Sequence, residues 1–156
     1  MTDSYGLVIL GSGTTAFAAA RQAAANNIRV LMVEQSHLGG TCVNWGCVPS
    51  KTLIDKAELY FAARRGRDWG LNLHAGDPDA ATLMQLKKTA VDTVRESHYQ
   101  QELENNANID VLRGHGRFIS PHEIQVGAEI IPFEKILIAV GGAPRVIPLP
   151  GLDQTK

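Results

Sequence analysis

The sequence has few cysteines, few aromatic residues and almost no net charge. Of its 156 residues only two are cysteines and 6% are aromatic, and its formal net charge is -1. Such a balanced charge gives no support for nucleic acid or an anionic membrane as a partner. No apolar run approaches the ~18 residues that a membrane-spanning helix needs. The first residues lack the basic segment of a secretory signal. We therefore expect a cytoplasmic protein that binds neither nucleic acid nor membrane.

The order of the predicted elements indicates an α/β fold. A strand over 6–10, an alanine-rich helix over 15–26 and a strand over 29–34 begin a parallel sheet. Further helices are predicted over 49–65 and 79–105, the second capped by Asp79. Further strands are predicted at 109–112, Glu123–Val126, Glu129–Pro132 and 135–140, of which the second and third form a hairpin. The last, nearly continuous in apolar residues, is expected in the middle of the parallel sheet.

A glycine turn between the first strand and the first helix predicts a dinucleotide site. Gly11 allows the tight turn, Gly13 lets a pyrophosphate approach the backbone, and Ala16 permits close packing of helix and strand. The amino end of the helix favours the phosphate charge. Glu34 ends the second strand, at the distance expected for a carboxylate that binds ribose hydroxyls. A purely structural turn and a surface carboxylate are the alternative interpretations.

The two cysteines, Cys42 and Cys47, lie five positions apart and allow three interpretations. They could form a redox disulfide, remain inert thiols, or supply half of a metal site. Nearby His37 could add a ligand, but a fourth ligand is not evident. A continuous helix would separate their Cα atoms by ~7.5 Å, more than the ~7 Å limit for a bridge. A disulfide therefore requires a bend, for which Gly46 and Pro49 are suited.

The segment GGTCVNWGCVPSK, residues 39–51, resembles the active-site signature of the FAD-dependent pyridine nucleotide–disulfide oxidoreductases. The resemblance covers essentially the whole chain, because the glycine turn, Glu34, the segment 114–118 and the strand end at 138–142 follow in the family's order. It implies a Rossmann-like FAD-binding domain with a parallel sheet and a small β-hairpin or meander. That domain would occupy residues 1–150, and residues 151–156 would begin a linker to an NAD(P)H domain.

The resemblance also implies roles for individual residues. Cys47 would be the sulfur beside the flavin, and Cys42 would exchange with the substrate. Lys51 would lie near flavin N5, where one helical turn brings it to the same face as Cys47. A solvated surface lysine is the alternative. The implied FAD contacts are Gly11, Gly13, Thr15, Ala16, Glu34, Gly40, Thr41, Lys51, Gly116 and Gly141. NAD(P)H would be the co-substrate, and no resident metal is implied.

Within the family, residues 11–20 and 99–118 resemble mercuric reductases, and Ser50 disfavours glutathione reductase, which tends to carry Lys at that place. This implies Hg(II) as substrate, with dihydrolipoamide dehydrogenase or a flavin-binding redox module without turnover as alternatives. Trp45 and Val140 depart from the family's usual residues. The second glycine turn and the interface domain of family members do not occur in the sequence. We therefore expect an amino-terminal fragment, inactive by itself, of a homodimeric enzyme.

Overall fold

The computed structural model describes residues 5–154, except for the side chain of residue 153, and it has two sheets. The strands are β1 Leu7–Leu10, β2 Val30–Glu34, β3 Ile109–Arg113, β4 Gly116–Ser120, β5 Glu123–Val126, β6 Glu129–Pro132 and β7 Ile136–Ile138. Four of them form a parallel sheet in the order β3-β2-β1-β7. The other three form an antiparallel meander in the order β4-β5-β6. The predicted α/β class is confirmed.

The two central strands of the parallel sheet, β1 and β2, are buried on both faces, which explains their nearly continuous apolar sequences. Ile9 and Met32 face one core cluster, which includes Ala16 and Phe17 of helix α1, Thr14–Ala25. Alternate residues on the same strands face the other cluster, against the meander. The members of that second cluster are Val8, Leu10, Leu31, Val33, Ile124, Val126, Ile131 and Phe133. The sheet therefore lies between a helical layer and a second, smaller sheet.

The predicted hairpin of β5 and β6 is confirmed, but β4 was not predicted. Its central residues Arg117, Phe118 and Ile119 are all exposed, so they lack the in-and-out alternation of a half-buried strand. The expectation for 135–140 is wrong in its position. β7 is shorter than expected and lies at the edge of the sheet, because no described strand pairs on its far side. Ile138 and Val140 are consequently exposed.

The remaining helices are α2 Gly40–Asn44, α3 Cys47–Arg65, α4 Ala80–Arg95 and α5 Gln101–Glu104. A π-helical turn, Glu96–Gln100, joins α4 to α5, so the predicted helix over 79–105 is nearly continuous. Asp79 caps it as expected, accepting hydrogen bonds from the backbone N–H groups of Ala81 and Thr82. None of the helices described here combines the length and the apolar content needed to cross a membrane.

Candidate functional site

The glycine turn connects β1 to α1 at the carboxyl edge of the parallel sheet. Gly11 has a φ of 106°, and a Cβ built there would lie 2.3 Å from the carbonyl oxygen of Ala139. Its N–H donates to the Val33 carbonyl at 2.8 Å. Only glycine fits a position that combines a positive φ with so close a backbone neighbour. The turn is thus fixed between the ends of β2 and β7.

Glu34 ends β2 beside this turn and is almost completely buried. Ser12 Oγ donates to Glu34 Oε2 at 2.5 Å, and the N–H of Ser36 donates to Oε1 at 2.6 Å. Each carboxylate oxygen keeps a further lone pair that can accept a hydrogen bond. Ser12 was not predicted as a site residue. Its position as the polar residue between two turn glycines was the available signal.

A cleft of about 510 Å³ opens at this edge of the sheet. Its lining includes Gly11, Glu34, Gly116 and the exposed strand-end residues Val140 and Gly142. Two glycines that were predicted as FAD contacts, Gly116 and Gly141, differ in how closely other atoms approach them. A Cβ at Gly116 would lie 2.7 Å from Leu10 Cδ2, whereas Gly141 has a φ of 73° with nothing within 4 Å of its Cβ position. The structure therefore brings Gly11, Glu34 and Gly116 together around one cleft and leaves Gly141 beside it.

The loop before α2 packs directly on the glycine turn. Gly39 N–H donates to the Ser12 carbonyl at 2.9 Å. A Cβ at Gly40 would lie 2.8 Å from Gly13 Cα, and Gly40 has a φ of 59°. This backbone-to-backbone contact places α2, with Thr41 and Cys42, next to the start of α1. Thr15 and Thr41 are both exposed there.

The cysteines lie on either side of a helix break. Cys42 belongs to α2, which ends at Asn44, and Cys47 is the first residue of α3. The bend at Trp45 and Gly46 is the one that the cysteine spacing required. Cys42 is half-buried and Cys47 is exposed, and both are free thiols.

Cys47 influences the pKa of the Cys42 thiol. A side-chain hydrogen bond with Cys47 raises the pKa of the Cys42 thiol, and burial and the charge of an ionised Cys47 raise it further. The backbone N–H of Cys47 and the Lys51 ammonium oppose this pKa shift. Lys51 follows Cys47 by four residues in α3, and its charge lowers the pKa of the Cys42 thiol.

The residues near the cysteines that were not predicted as site residues include Trp45, Asn44 and Arg95. The Trp45 ring is 62% exposed and meets the His37 ring edge-on, with centroids 5.6 Å apart. Asn44 and Arg95 are hydrogen-bonded to each other across 51 positions of sequence. No local pattern signals a contact between residues so far apart. Among residues 5–154, no group of three or more His, Cys, Asp or Glu side chains is placed to hold a metal ion.

The residues present fit a dinucleotide. No described side chain caps the amino end of α1, and its first turn carries no acidic residue, so its N–H groups remain available to a phosphate. The cleft is within the range of small-molecule sites, and Glu34 offers acceptors to hydroxyl groups. The paired thiols lie beyond the same helix end. Fold and site together are those expected of a dinucleotide-binding α/β domain with a dithiol.

The comparisons with known proteins identify the family. Residues 5–156 match the family model described as pyridine nucleotide-disulphide oxidoreductase. The chain belongs to this family. It is 39% identical over 150 residues to a mercuric reductase from Staphylococcus aureus, covering 96% of this chain and 27% of that protein. It is 35% identical over 152 residues to one from Lysinibacillus sphaericus, covering 97% of this chain and 28% of that protein.

Solved structures show the same relationship. The HOCl-induced flavoprotein disulfide reductase RclA from Escherichia coli matches with a TM-score of 0.78 and 32% identity, over 96% of this chain and 31% of that one. Its Cu(II) complex matches with a TM-score of 0.76 over the same shares. The chain thus spans between a quarter and a third of the length of these relatives. The family and its flavoprotein members imply a flavin cofactor and a pyridine nucleotide.

Proposed function

We propose that this chain is the flavin-binding part of an FAD-dependent NAD(P)H oxidoreductase whose redox centre is the Cys42–Cys47 pair. The observation that carries the proposal is the α2–α3 break, which places Cys42 and Cys47 on either side of a bend beside the glycine turn. Inert thiols have no need of a bend that brings them together. The bend also removes the separation that would prevent a disulfide in a continuous helix.

Most of the predicted FAD contacts have a place in this proposal. The adenosine end would lie in the cleft, with Glu34 accepting from ribose hydroxyls and Gly116 at the opposite wall. The α1 amides, with Gly13 and Thr15, would hold the pyrophosphate. Gly40, Thr41 and Lys51 would then follow toward the flavin end. When bound, FAD supplies a two-electron carrier between NAD(P)H and the sulfur pair.

The two cysteines would differ in protonation state once the disulfide is reduced. Reduction of the disulfide takes up two electrons and one proton, leaving a thiol at Cys42 and a thiolate at Cys47. The raised pKa of Cys42 favours the proton on that sulfur, because a side-chain hydrogen bond with Cys47 opposes its ionisation. Lys51 would offset negative charge at this end of the site.

We propose Hg(II) as the substrate, because mercuric reductases are among the relatives and soft thiolates suit this ion. The overall reaction would convert NAD(P)H and Hg(II) to NAD(P)⁺, a proton and Hg(0). A reductase of the RclA kind is the second candidate, because the chain is 32% identical to that flavoprotein disulfide reductase. Dihydrolipoamide would be the substrate of a third, related activity.

The assembly and compartment are also proposals. α3 presents Ile54, Leu59 and Phe61 largely to solvent, and this apolar surface supports a homodimer of the whole protein. A reversible pair of cysteines suits the reducing cytoplasm, where structural disulfides are rare.

The test uses the whole protein that carries this chain. We expect a yellow protein that releases FAD on denaturation and oxidises NAD(P)H with Hg(II). Cys42→Ser and Cys47→Ser should each retain FAD and lose turnover. A colourless protein would refute the flavin assignment. Turnover with lipoamide or Cu(II) in place of Hg(II) would refute the substrate and leave the redox centre standing.

A further inference from the structure

Arg95, near the end of α4, reaches across to the cysteine segment. Its Nε and Nη2 donate to Asn44 Oδ1 at 3.0 and 2.7 Å. Its Nη1 donates to Asp92 Oδ1 at 3.1 Å, which fixes the guanidinium on its own helix. The Arg95 side chain is 29% exposed. Because the guanidinium is planar and partly buried, its two hydrogen bonds fix the orientation of the Asn44 amide as well as its distance from Arg95.

Asn44 in turn is hydrogen-bonded to the backbone of the segment that carries Cys42. Its Nδ2 donates to the Leu38 carbonyl at 2.9 Å and to the Gly40 carbonyl at 2.8 Å. With the two bonds from Arg95, all four hydrogen-bonding positions of the amide are used. Leu38 is buried in the core, and Gly40 begins α2. The amide therefore joins α4 to the loop and helix that carry Cys42.

The placement of Cys42 depends on such contacts because α2 is very short. α2 has five residues, whereas α3, which begins with Cys47, has 19. A helix of one turn is not stable alone and keeps its position only through tertiary contacts. The separation of the two sulfurs is therefore controlled mainly by what holds α2.

We propose that Arg95 is a positioning residue that, through Asn44, holds Cys42 against Cys47 and so sets the equilibrium between dithiol and disulfide. This inference rests on the proposed function, because it presumes that the pair is redox-active. Preorganised thiols form a disulfide at a higher effective concentration than mobile ones, which makes the disulfide harder to reduce. Arg95 reaches the cysteine segment through Asn44 and the backbone of α2. Its proposed action is therefore geometric.

The experiment equilibrates the whole protein in buffers of oxidised and reduced dithiothreitol and measures the disulfide fraction by thiol labelling. Arg95→Met should shift the equilibrium about tenfold toward the dithiol, which corresponds to about 30 mV. Arg95→Lys, with one donor nitrogen, should shift it less. Lys88→Met is the matched control. It removes a charge from the same helix face, where Lys88 pairs with Asp92, and leaves the bond to Asn44 in place. It should leave the equilibrium within twofold of the parent.

Two further measurements separate positioning from a general loss of structure. The rate of Cys42 alkylation in Cys47→Ala protein should depend on pH in the same way with and without Arg95→Met. The double variant Arg95→Met with Asn44→Ala should show no larger shift than Asn44→Ala alone, because both act through one amide. Additive shifts would contradict the route through Asn44.

The outcomes distinguish this inference from the proposed function. If the parent protein forms no reversible disulfide, the proposed function fails and the inference fails with it. If the disulfide forms but folded Arg95→Met and Arg95→Lys proteins keep the parent equilibrium, only the role of Arg95 is refuted. If Arg95→Met fails to fold, the dithiol–disulfide equilibria of Arg95→Lys and Asn44→Ala test the role of Arg95 instead, since each substitution removes part of the same contact.

Discussion

The site contains two sharp bends that are held in different ways. The glycine turn is held by backbone atoms, with Gly11 against the Ala139 carbonyl and Gly39 hydrogen-bonded to Ser12. The bend between the cysteines is also held by side chains. Asn44 and Arg95 hold its first helix, and Ser50 Oγ donates to the Gly46 carbonyl at 2.7 Å.

This difference matches what each bend would do in the proposed function. A phosphate-binding turn must keep N–H groups in one arrangement, so a lock made of backbone atoms serves it well. A redox bend must accept both a disulfide and a separated dithiol. Side-chain contacts can adjust by a few tenths of an ångström, whereas close backbone contacts cannot. The two bends should therefore differ in their tolerance of an added methyl group.

The largest effect is expected for Gly11→Ala. The added Cβ would meet the Ala139 carbonyl oxygen at 2.3 Å, in a residue with a φ of 106°. Strain and overpacking together should lower the free energy of unfolding by about 3 to 5 kcal/mol. Urea unfolding measures this difference, and flavin binding should be lost with it.

Gly141→Ala is the matched control for that measurement. Gly141 also has a positive φ, 73°, but nothing lies within 4 Å of its Cβ position. Only the backbone strain remains, so we expect a cost of about 1 to 2 kcal/mol. Equal costs at the two positions would show that the close contact with Ala139 does not hold the turn.

An intermediate effect is expected at the cysteine bend, where side chains determine the chemistry. A side-chain hydrogen bond with Cys47 is the main cause of the raised pKa of Cys42. Cys47→Ala removes this bond and the charge of Cys47, so the pKa of Cys42 should fall. Its alkylation by iodoacetamide should then begin at lower pH, because the thiolate is the reactive form.

Replacement of Lys51 should shift the pKa of Cys42 in the opposite direction in the same assay. Its charge lowers the pKa of Cys42, so Lys51→Met in the Cys47→Ala background should move the alkylation profile back to higher pH. Lys56→Met is the control, since Lys56 pairs with Asp55 on the outside of the helix. An unchanged profile in the Lys51 variant would contradict the placement of its ammonium near the sulfurs.

The sequence was sufficient for the parts of the site that depend on local pattern. Gly11, Gly13 and Ala16 form the turn expected of them, and Glu34 ends β2 as predicted. The need for a bend between Cys42 and Cys47 followed from helix geometry alone. In each case the residues that decide the structure are neighbours in the chain, so their spacing contains the information.

Tertiary features could not be predicted in this way. The contact of Arg95 with Asn44 joins residues 51 positions apart, and nothing in either local segment indicates the other. The edge position of β7 depends on which strands are present to pair with it, not on its own apolar pattern. β4 was missed because its exposed residues do not alternate. Pairing and packing, rather than propensity, determined these features.

The smallest effect is expected for Gly46→Ala, and it tests the comparison most directly. Gly46 has a φ of -115°, so an alanine needs no left-handed backbone there. Its Cβ would lie 3.1 Å from the Thr41 carbonyl oxygen, a tight contact that a small movement of α2 can relieve. The cost in unfolding free energy should therefore stay well below that of Gly11→Ala, measured by urea unfolding beside it. Because α2 must move, the free energy of disulfide formation should change more than the free energy of unfolding. A loss of stability as large as that of Gly11→Ala would show that the cysteine bend is also locked by its backbone, and the distinction between the two bends would fail.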